Sequence, residues 1–294
     1  MCSVYGFQFS EKATIFLNRK PKTENRKPKD SFMESLSIEL LGLLFLTGLL
    51  AGTLDSIAGG GGLIAFPVLL GTGISPLQAL ATNKLQGSFG TTTAALHFLR
   101  NGEIEREGII FAMLCTFIGA ALGTVAVSHI DSRILMALIP VLLIASALYF
   151  LFSPRVGDVE QQQRISIGVF SVAIGTGLGF YDGFFGPGTG AFFALAFVSL
   201  LGFSMKRATA HSKVLNMTSN LAALLFFMIG GHVVWSLGLV MAAGQVIGAT
   251  VGAHLVIRRG TALIRPLLVI VSIALTVKIV LSDPENPLRQ LLGL

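Results

Sequence analysis

The sequence AGTLDSIAGGGG occupies residues 51–62, and the related sequence GFYDGFFGPGTG occupies residues 179–190. In each stretch an aspartate, Asp55 or Asp182, lies four residues before a glycine-rich cluster within an apolar segment. Because glycine and proline destabilise a helix interior, each cluster predicts a helix that breaks and then resumes. If these helices lie in a membrane, the backbone groups freed at a break must be buried in protein or face a polar cavity.

The similarity between the two stretches extends along the chain and indicates an internal duplication. The first set of matches, at an offset of 127, pairs Asp55, Gly59, Gly61 and Phe66 with Asp182, Gly186, Gly188 and Phe193. After a two-residue insertion, an offset of 129 pairs Lys84, Phe98, Gly102, Gly119 and Gly123 with Lys213, Phe227, Gly231, Gly248 and Gly252. A chance match of apolar sequence rarely brings an aspartate, a lysine and several glycines into one register. We therefore interpret the pattern as two copies of one unit.

Composition places both copies in a lipid bilayer. Of the 294 residues, 53% are hydrophobic and only 12% are charged, which is about half the charged fraction of a soluble domain. Asp, Glu, Lys and Arg are absent from residues 108–130, 134–154, 183–205 and 214–257. An apolar helix of about 20 residues spans the hydrocarbon core of a bilayer. The chain is therefore predicted to be a multi-pass integral membrane protein.

The predicted fold is all-α, with two homologous multi-helix repeats that contain broken helices and are inverted relative to each other. Each repeat holds about four to five transmembrane segments. The apolar segments lie near 36–57, 61–74, 85–99, 108–128 and 133–153 in the first repeat, and near 165–181, 187–203, 213–229, 233–257 and 262–282 in the second. The second and third segments of each repeat are short, which leaves full crossing and re-entry both open.

Changes in polarity along the chain give the predicted boundaries. These are a basic tail at 1–33, a first membrane repeat at 34–154, a hydrophilic linker at 155–164, a second membrane repeat at 165–282 and a C-terminal tail at 283–294. The basic tail lacks the apolar core of a signal peptide. We interpret it as disordered, or as untranslated sequence upstream of a start at Met33.

The distribution of basic residues predicts the orientation, because cytoplasmic loops are enriched in lysine and arginine. The loops near 100–107, 153–164, 203–213 and 256–265 are basic, whereas the opposite side carries mainly Lys84, Arg133 and Arg289. If the basic tail is left out, this pattern predicts ten crossings with both termini outside. Eight or nine crossings are the alternative.

Charge and motifs exclude several classes of protein. Residues 1–33 hold seven basic and three acidic residues, so most of the net charge of +6 belongs to the tail and not to a nucleic-acid-binding surface. Neither glycine cluster continues into the Gly-Lys-Ser/Thr of a nucleotide loop. The sequence has no His, Cys, Asp and Glu set at metal-binding spacing and no nucleophile–base motif. We expect no nucleic-acid partner, no cofactor, no metal and no enzymatic activity.

Four ionisable residues in or near the apolar segments are the strongest functional candidates. Each repeat supplies one acid and one base: Asp55 with Lys84, and Asp182 with Lys213. A charge within the bilayer costs about 2.5 kcal/mol or more, so an unpaired one needs a function. One interpretation is two structural salt bridges, Asp55–Lys84 and Asp182–Lys213. The other is that the lysines attract an anion while an aspartate takes part in proton coupling.

The candidate binding residues surround these charges. Backbone N–H groups at a resumed helix favour an anion, and hydroxyl, amide and imidazole groups can hydrogen-bond to its oxygens. The predicted binding residues are Gly59, Gly60, Gly61, Thr82, Asn83, Lys84, Gly186, Gly188, His211, Ser212, Lys213 and Asn216. By contrast, the small-residue spacing of Gly119, Gly123, Gly248 and Gly252 predicts close helix packing and no ligand contact.

The two glycine stretches, together with ATNK at residues 81–84 and AHSK at residues 210–213, resemble the two repeats of the sulfite exporter TauE/SafE family. The similarity covers about residues 34–282, and the chain looks most like the uncharacterised bacterial inner-membrane permeases of that family. The resemblance implies a multi-pass permease, driven by an ion gradient, for a small anion that often contains sulfur. It does not fix the solute, because members that share these motifs differ in substrate.

We therefore predict a secondary transporter of the bacterial inner membrane for a small anion such as sulfite, a sulfonate or another organosulfur anion. Its partners would be the anionic solute and the lipid bilayer, and a homo-oligomer is left open. The alternative is a membrane scaffold or assembly factor without transport activity. Polar groups paired inside the membrane favour the transporter.

Overall fold

A computed structural model describes residues 37–105, 107–152 and 160–259, and within these ranges the chain is helical and contains no strand. The described helices are α1 (Ile38–Ala58), α2 (Gly62–Gly71), α3 (Pro76–Arg100), α4 (Ile109–Ser128), α5 (Ser132–Phe152), α6 (Ile167–Phe184), α7 (Thr189–Leu201), α8 (Met205–Ile229) and α9 (Trp235–Arg259). The predicted all-α class is confirmed. The predicted tails at 1–33 and 283–294 and the apolar segment near 262–282 lie outside the described residues.

The helices differ in whether their length suits a bilayer. Five of those described are long and apolar enough to cross one: α1, α4, α6, α8 and most of α9. The helices that follow the two breaks, α2 and α7, have only 10 and 13 residues. At 1.5 Å per residue they span about 15 and 20 Å, less than the roughly 30 Å hydrocarbon core. We refer to α1–α5 as the first half and to α6–α9 as the second half of the described structure. The second segment of each half, α2 or α7, is therefore short, as the sequence predicts.

The third segment of each half is longer than predicted. Helices α3 and α8 have 25 residues each, so the prediction of short segments near 85–99 and 213–229 is wrong. The reason at α3 is its capping: Ser75 and Gln78 form a reciprocal capping box, and Pro76 occupies the first turn. The helix consequently begins well before the apolar run and includes the polar sequence around Lys84.

Polar and charged residues are buried inside this bundle beside its hydrophobic core, and large apolar residues also cover its outside. Lys84 in α3 is 1% exposed and Lys213 in α8 is fully buried, and α3 packs against α8. Large apolar side chains are exposed along the candidate spans, among them Leu46, Ile110, Ile118, Leu122 and Ile247. Such a surface suits lipid and not water. The assignment of Lys84 to a loop on the less basic side is also wrong, because this lysine lies in the protein interior.

Glycines bring helices of the two halves into close contact. A side chain at Gly119 or Gly123 of α4 would strike the backbone of α6 at Thr176 and Phe180. In the same way, a side chain at Gly248 or Gly252 of α9 would strike the backbone of α1 at Leu49 and Thr53. The packing interpretation of these four glycines is confirmed. Each half therefore contributes its fourth helix to the first helix of the other half.

A pair of substitutions on α1 tests this packing. Gly52→Leu should lower the free energy of unfolding by at least about 1–3 kcal/mol, because a Cβ at Gly52 would press on the backbone at Gln245 and Ala249. Gly42→Leu is the matched control, since a Cβ at Gly42 meets nothing within 4 Å. Unfolding of both variants in detergent gives the comparison. Equal stability of the two would contradict the close contact between α1 and α9.

Candidate functional site

The two predicted helix breaks are present, and they meet. The first lies between the end of α1 at Ala58 and the start of α2, and the second lies between α6 and α7. Gly59 and Gly186 adopt φ of 76° and 98°, a conformation that favours glycine because a Cβ would be strained there. A side chain at Gly59 would also strike the backbone of Gly190 and Ala191. The backbone of the first break therefore packs directly against the first turn of α7, which follows the second break.

Two buried ion pairs cross between the halves beside these breaks. Lys84 Nζ lies 2.8 Å from Asp182 Oδ1, and Lys213 Nζ lies 3.0 Å from Asp55 Oδ2. All four side chains are at least nine-tenths buried. The sequence interpretation of salt bridges within each half, Asp55–Lys84 and Asp182–Lys213, is wrong. Each lysine instead reaches the aspartate at the end of the other half's first helix.

The backbone of the first break bonds to one of these charges, and the backbone of the second break closely approaches another. The backbone N–H of Gly61 donates to Asp55 Oδ1 over 3.3 Å, so this carboxylate bonds both to its own break and to the lysine of the other half. At the second break, a Cβ on Gly186 would lie 2.6 Å from Lys84 Nζ. Tyr181 donates its hydroxyl proton to the carbonyl of Pro187 at 2.9 Å. Its oxygen also lies 3.0 Å from Ser146 Oγ of α5.

Between the ion pairs and the breaks is a central cavity with no apolar side chain in its lining. Its volume is about 30 Å³. A water molecule needs about 10–15 Å³ of such a volume, so the cavity has room for more than one. The lining consists of Asp55, Gly59, Gly62, Asn83, Lys84, Gln86, Gly87, Thr91, Asp182, Gly186, Gly188, Asn216, Asn220 and Gln245. A lining made only of polar side chains and glycine suits water or a small polar solute.

The structure places the predicted site residues in two groups. Asp55, Gly59, Asn83, Lys84, Asp182, Gly186, Gly188 and Asn216 line the central cavity. Gly60, Gly61, Thr82, His211, Ser212 and Lys213 do not, although Gly61 and Lys213 contact it through Asp55. Thr82 Oγ1 accepts the N–H of Val234 at 3.1 Å, and Ser212 Oγ donates to the carbonyl of Thr209 at 2.8 Å.

His211 lies in the N-terminal part of α8, where it contacts the loop that contains Glu105, and not at the central cavity. Its Nε2 accepts the N–H of Glu105 at 3.1 Å, and its Nδ1 lies 2.8 Å from the carbonyl of Arg207. Arg207 in turn forms ion pairs with Glu105 and with Glu160, the latter at 2.9 Å. The segments near 100–107, 153–164 and 203–213, predicted to be loops on one side of the membrane, therefore contact one another here, but residues 205–213 form the start of α8 and not a loop.

Six residues of the lining are absent from the predicted site: Gly62, Gln86, Gly87, Thr91, Asn220 and Gln245. Gln86 and Gln245 are 1% and 2% exposed. Gln245 is the only Asn, Gln, Asp or Glu in the 25 residues of α9, and that isolation in an apolar helix was the available signal. Gly90 makes room for it, because a Cβ there would lie 2.6 Å from Gln245 Nε2.

Amide side chains continue the polar lining between the halves. Gln86 Nε2 donates to Asn83 Oδ1 at 2.8 Å, and Asn220 Nδ2 donates to Asn216 Oδ1 at 3.1 Å. The described residues also contain no group of three or more His, Cys, Asp or Glu placed to hold a metal ion.

Comparisons with known proteins identify the family and relatives of the chain. Residues 44–279 match the family model described as sulfite exporter TauE/SafE. The chain is 48% identical over 245 residues to a "Probable membrane transporter protein" of Haemophilus influenzae, covering 83% of this chain and 96% of that protein. It is 47% identical over 261 residues to the "Probable membrane transporter protein ORF9" of a Sinorhizobium species, covering 89% of this chain and 100% of the relative.

A third relative is the "Probable membrane transporter protein YfcA" of Escherichia coli K12, which is 44% identical over 255 residues, covering 87% of this chain and 95% of that protein. No solved structure matches the chain. The apolar helices and these bacterial relatives together identify a multi-pass membrane protein of the bacterial inner membrane. The chain belongs to the sulfite exporter TauE/SafE family.

Proposed function

We propose that the chain is a secondary transporter for a small anion, which binds in the central cavity. The observation that carries the proposal is a buried cavity lined only by polar side chains and glycine, at which two lysines from different halves pair with aspartates. Buried charges in a membrane protein mark solute or ion pathways more often than they mark stability. The relatives are named as transporters and not as enzymes, which supports the same class.

The proposal includes an inverted duplication. The offset of 129 relates Lys84 to Lys213, and the offset of 127 relates Asp182 to Asp55. The relation between the repeats therefore converts the ion pair Lys84–Asp182 into the ion pair Lys213–Asp55. The α4–α6 glycine contacts exchange in the same way with the α9–α1 contacts. A pseudo-two-fold relation between the halves would produce this exchange. In transporters with inverted repeats, substrate sites lie between the repeats at discontinuous helices, as the central cavity does here.

Several groups around the central cavity suit an anion. Lys84 supplies an ammonium group, and Asn83 and Asn216 supply amide N–H donors. Gly62 and Gly188 place the N-termini of α2 and α7 at the lining, and a helix N-terminus carries a partial positive charge. An anion can thus be held by donors from both halves at once.

Transport follows from the position of the ion pairs between the halves. An anion that takes hydrogen bonds from a lysine competes with the aspartate bound to it, and so loosens one contact that joins the halves. Rocking of one half against the other would then open the cavity to one side of the membrane and close it to the other. The broken helices permit this motion because their backbone groups are buried within protein and not in lipid.

The substrate class that we propose is a small sulfur oxyanion such as sulfite or a small sulfonate. The family name supports sulfite-type transport, and the small volume of the central cavity favours a compact solute. A sulfur oxyanion presents several acceptor oxygens, which match the lysine, amide and helix N-terminal donors around the lining.

Counterflow in proteoliposomes tests the proposed function. Vesicles preloaded with unlabelled sulfite should transiently accumulate labelled sulfite, and methanesulfonate should compete better than acetate. At a concentration 100 times its Kd, a bound anion should also stabilise the purified protein by about 2.7 kcal/mol. Protein-free liposomes serve as the control for passive leakage of sulfite through the lipid. If sulfite, sulfonates, phosphate and acetate produced no counterflow and no stabilisation of the protein, the anion carrier would be rejected.

A further inference from the structure

The central cavity contains acceptor oxygens that nothing in the described part of the chain satisfies. These are Asp182 Oδ2, Gln86 Oε1 and Gln245 Oε1, each buried and each without a hydrogen-bond donor among the described residues. All three residues line the same cavity. The other oxygen of Asp182 is held by Lys84, and the amide nitrogen of Gln86 is used by Asn83. An unsatisfied buried acceptor is costly, so a donor or a cation is expected here.

The net charge of the cavity indicates whether water alone or a cation satisfies these three oxygens during transport. The two lysines and two aspartates at the cavity carry no net charge as pairs. Water could satisfy the three oxygens while the cavity is empty of solute. When a monovalent anion enters, however, it adds one negative charge to a buried and otherwise neutral site, which costs several kcal/mol unless it is compensated. A cation bound at the same time removes that cost.

The partial charges of the helix ends also divide the cavity into a side that favours a cation and a side that favours an anion. Asp182 lies in the last turn of α6, which ends at Phe184, and a helix C-terminus carries a partial negative charge. The N-termini of α2 and α7 lie at the same cavity and favour the anion. Carboxylate and amide oxygens are ligands that suit a hard cation. Because the glutamines are neutral, they add no charge when the cation leaves.

We propose that Asp182 Oδ2, Gln86 Oε1 and Gln245 Oε1 form the acceptor side of a monovalent-cation subsite, through which the protein binds Na⁺ or a proton together with its anion. This inference rests on the proposed anion transport and names the ion that would drive it. The charged groups facing Asp182 are Lys84 of α3, and across the cavity Asp55 with its partner Lys213. A proton on the free oxygen of Asp182 would be held by a hydrogen bond to an amide oxygen, and Na⁺ would be shared by all three oxygens, so the two glutamines contribute to binding either ion.

The test uses labelled sulfite accumulation in proteoliposomes with the membrane potential clamped. One arm imposes a tenfold inward Na⁺ gradient at equal pH, and the other imposes a one-unit pH gradient without Na⁺. At 1:1 coupling, the gradient of the coupled ion should drive about a tenfold accumulation above the protein-free leak. In the double variant Gln86→Leu/Gln245→Leu, the ratio of gradient-driven to gradient-free uptake should fall towards one. Gln162→Leu, the same change at an exposed loop residue, should keep the wild-type ratio.

The outcomes separate this inference from the proposed function. Sulfite counterflow that neither gradient accelerates would overturn the cation subsite and leave the anion carrier standing. If the wild type shows no counterflow, the subsite is judged on the anion-free purified protein. A melting temperature that rises with Na⁺ over choline, or with falling pH, and that loses this dependence in Gln86→Leu/Gln245→Leu would support it. A melting temperature independent of both ions would overturn it.

Discussion

Replacing Lys84 with methionine should lower the free energy of unfolding by about 3–5 kcal/mol, because it leaves the Asp182 carboxylate buried without its partner. Both side chains of this pair are only 2% exposed, so solvent cannot take the place of the lost ammonium group. Methionine fills a similar volume, which keeps the loss of packing small. Unfolding of the purified variant in detergent measures the effect.

Double variants show whether the ion pairs cross between the halves. Lys84→Met/Asp182→Asn removes both members of one pair and should recover most of the lost stability, since neither buried charge is then left alone. Lys84→Met/Asp55→Asn instead removes one member of each pair and should be less stable than Lys84→Met. The opposite order, with rescue by Asp55→Asn, would show that the salt bridges lie within each half and would refute the crossed arrangement.

The neutral double variants also carry the largest expected effect on transport. Both Lys84→Met/Asp182→Asn and Lys213→Met/Asp55→Asn should fold, yet each should lower the initial rate of sulfite counterflow on the order of 100-fold. The first loses the ammonium group of Lys84, which the anion is proposed to use, and the second loses the ion pair that joins the halves through Asp55 at the cavity lining. A loss of about 2.7 kcal/mol of binding free energy corresponds to that factor. Rates are normalised to the folded protein incorporated in the vesicles.

The matched control applies the same chemical change to an exposed pair. Lys206 Nζ lies 2.6 Å from Glu103 Oε1, with 40% and 20% of the two side chains exposed. Lys206→Met/Glu103→Gln should keep the wild-type rate of counterflow within about twofold, because exposed ion pairs contribute little and this one lies outside the central cavity. Wild-type rates in both buried double variants would exclude the lysines from the anion site.

Much of the site could be predicted from residue types alone. An aspartate before a glycine cluster, seen twice, gave both helix breaks, and Gly59 and Gly186 do adopt positive φ. A lysine in or near an apolar segment of each half was expected to form an ion pair or to attract an anion, and both lysines lie in buried ion pairs. These inferences worked because they depend on local properties: the backbone preference of glycine and the cost of a charge in a low-dielectric interior.

The pairing of those charges could not be predicted in the same way. Asp55 is nearer in sequence to Lys84 than to Lys213, and nothing local distinguishes the two partners. The choice is made by the glycine contacts that pack α4 on α6 and α9 on α1, because they interlock the halves. Gln86 and Gln245 were missed for a related reason, since a buried amide in an apolar helix is informative only when its neighbours are known.

The sequence by itself thus determined the class of the protein, the two breaks and the identity of the charged residues, because bilayer thickness and backbone sterics act on short stretches of chain. Only the tertiary structure decided which half supplies each ion-pair partner, which amides line the central cavity and which predicted residues, such as His211, lie elsewhere. Those outcomes depend on contacts between residues 98 or more positions apart, such as Lys84 with Asp182, and such contacts follow from how the helices pack.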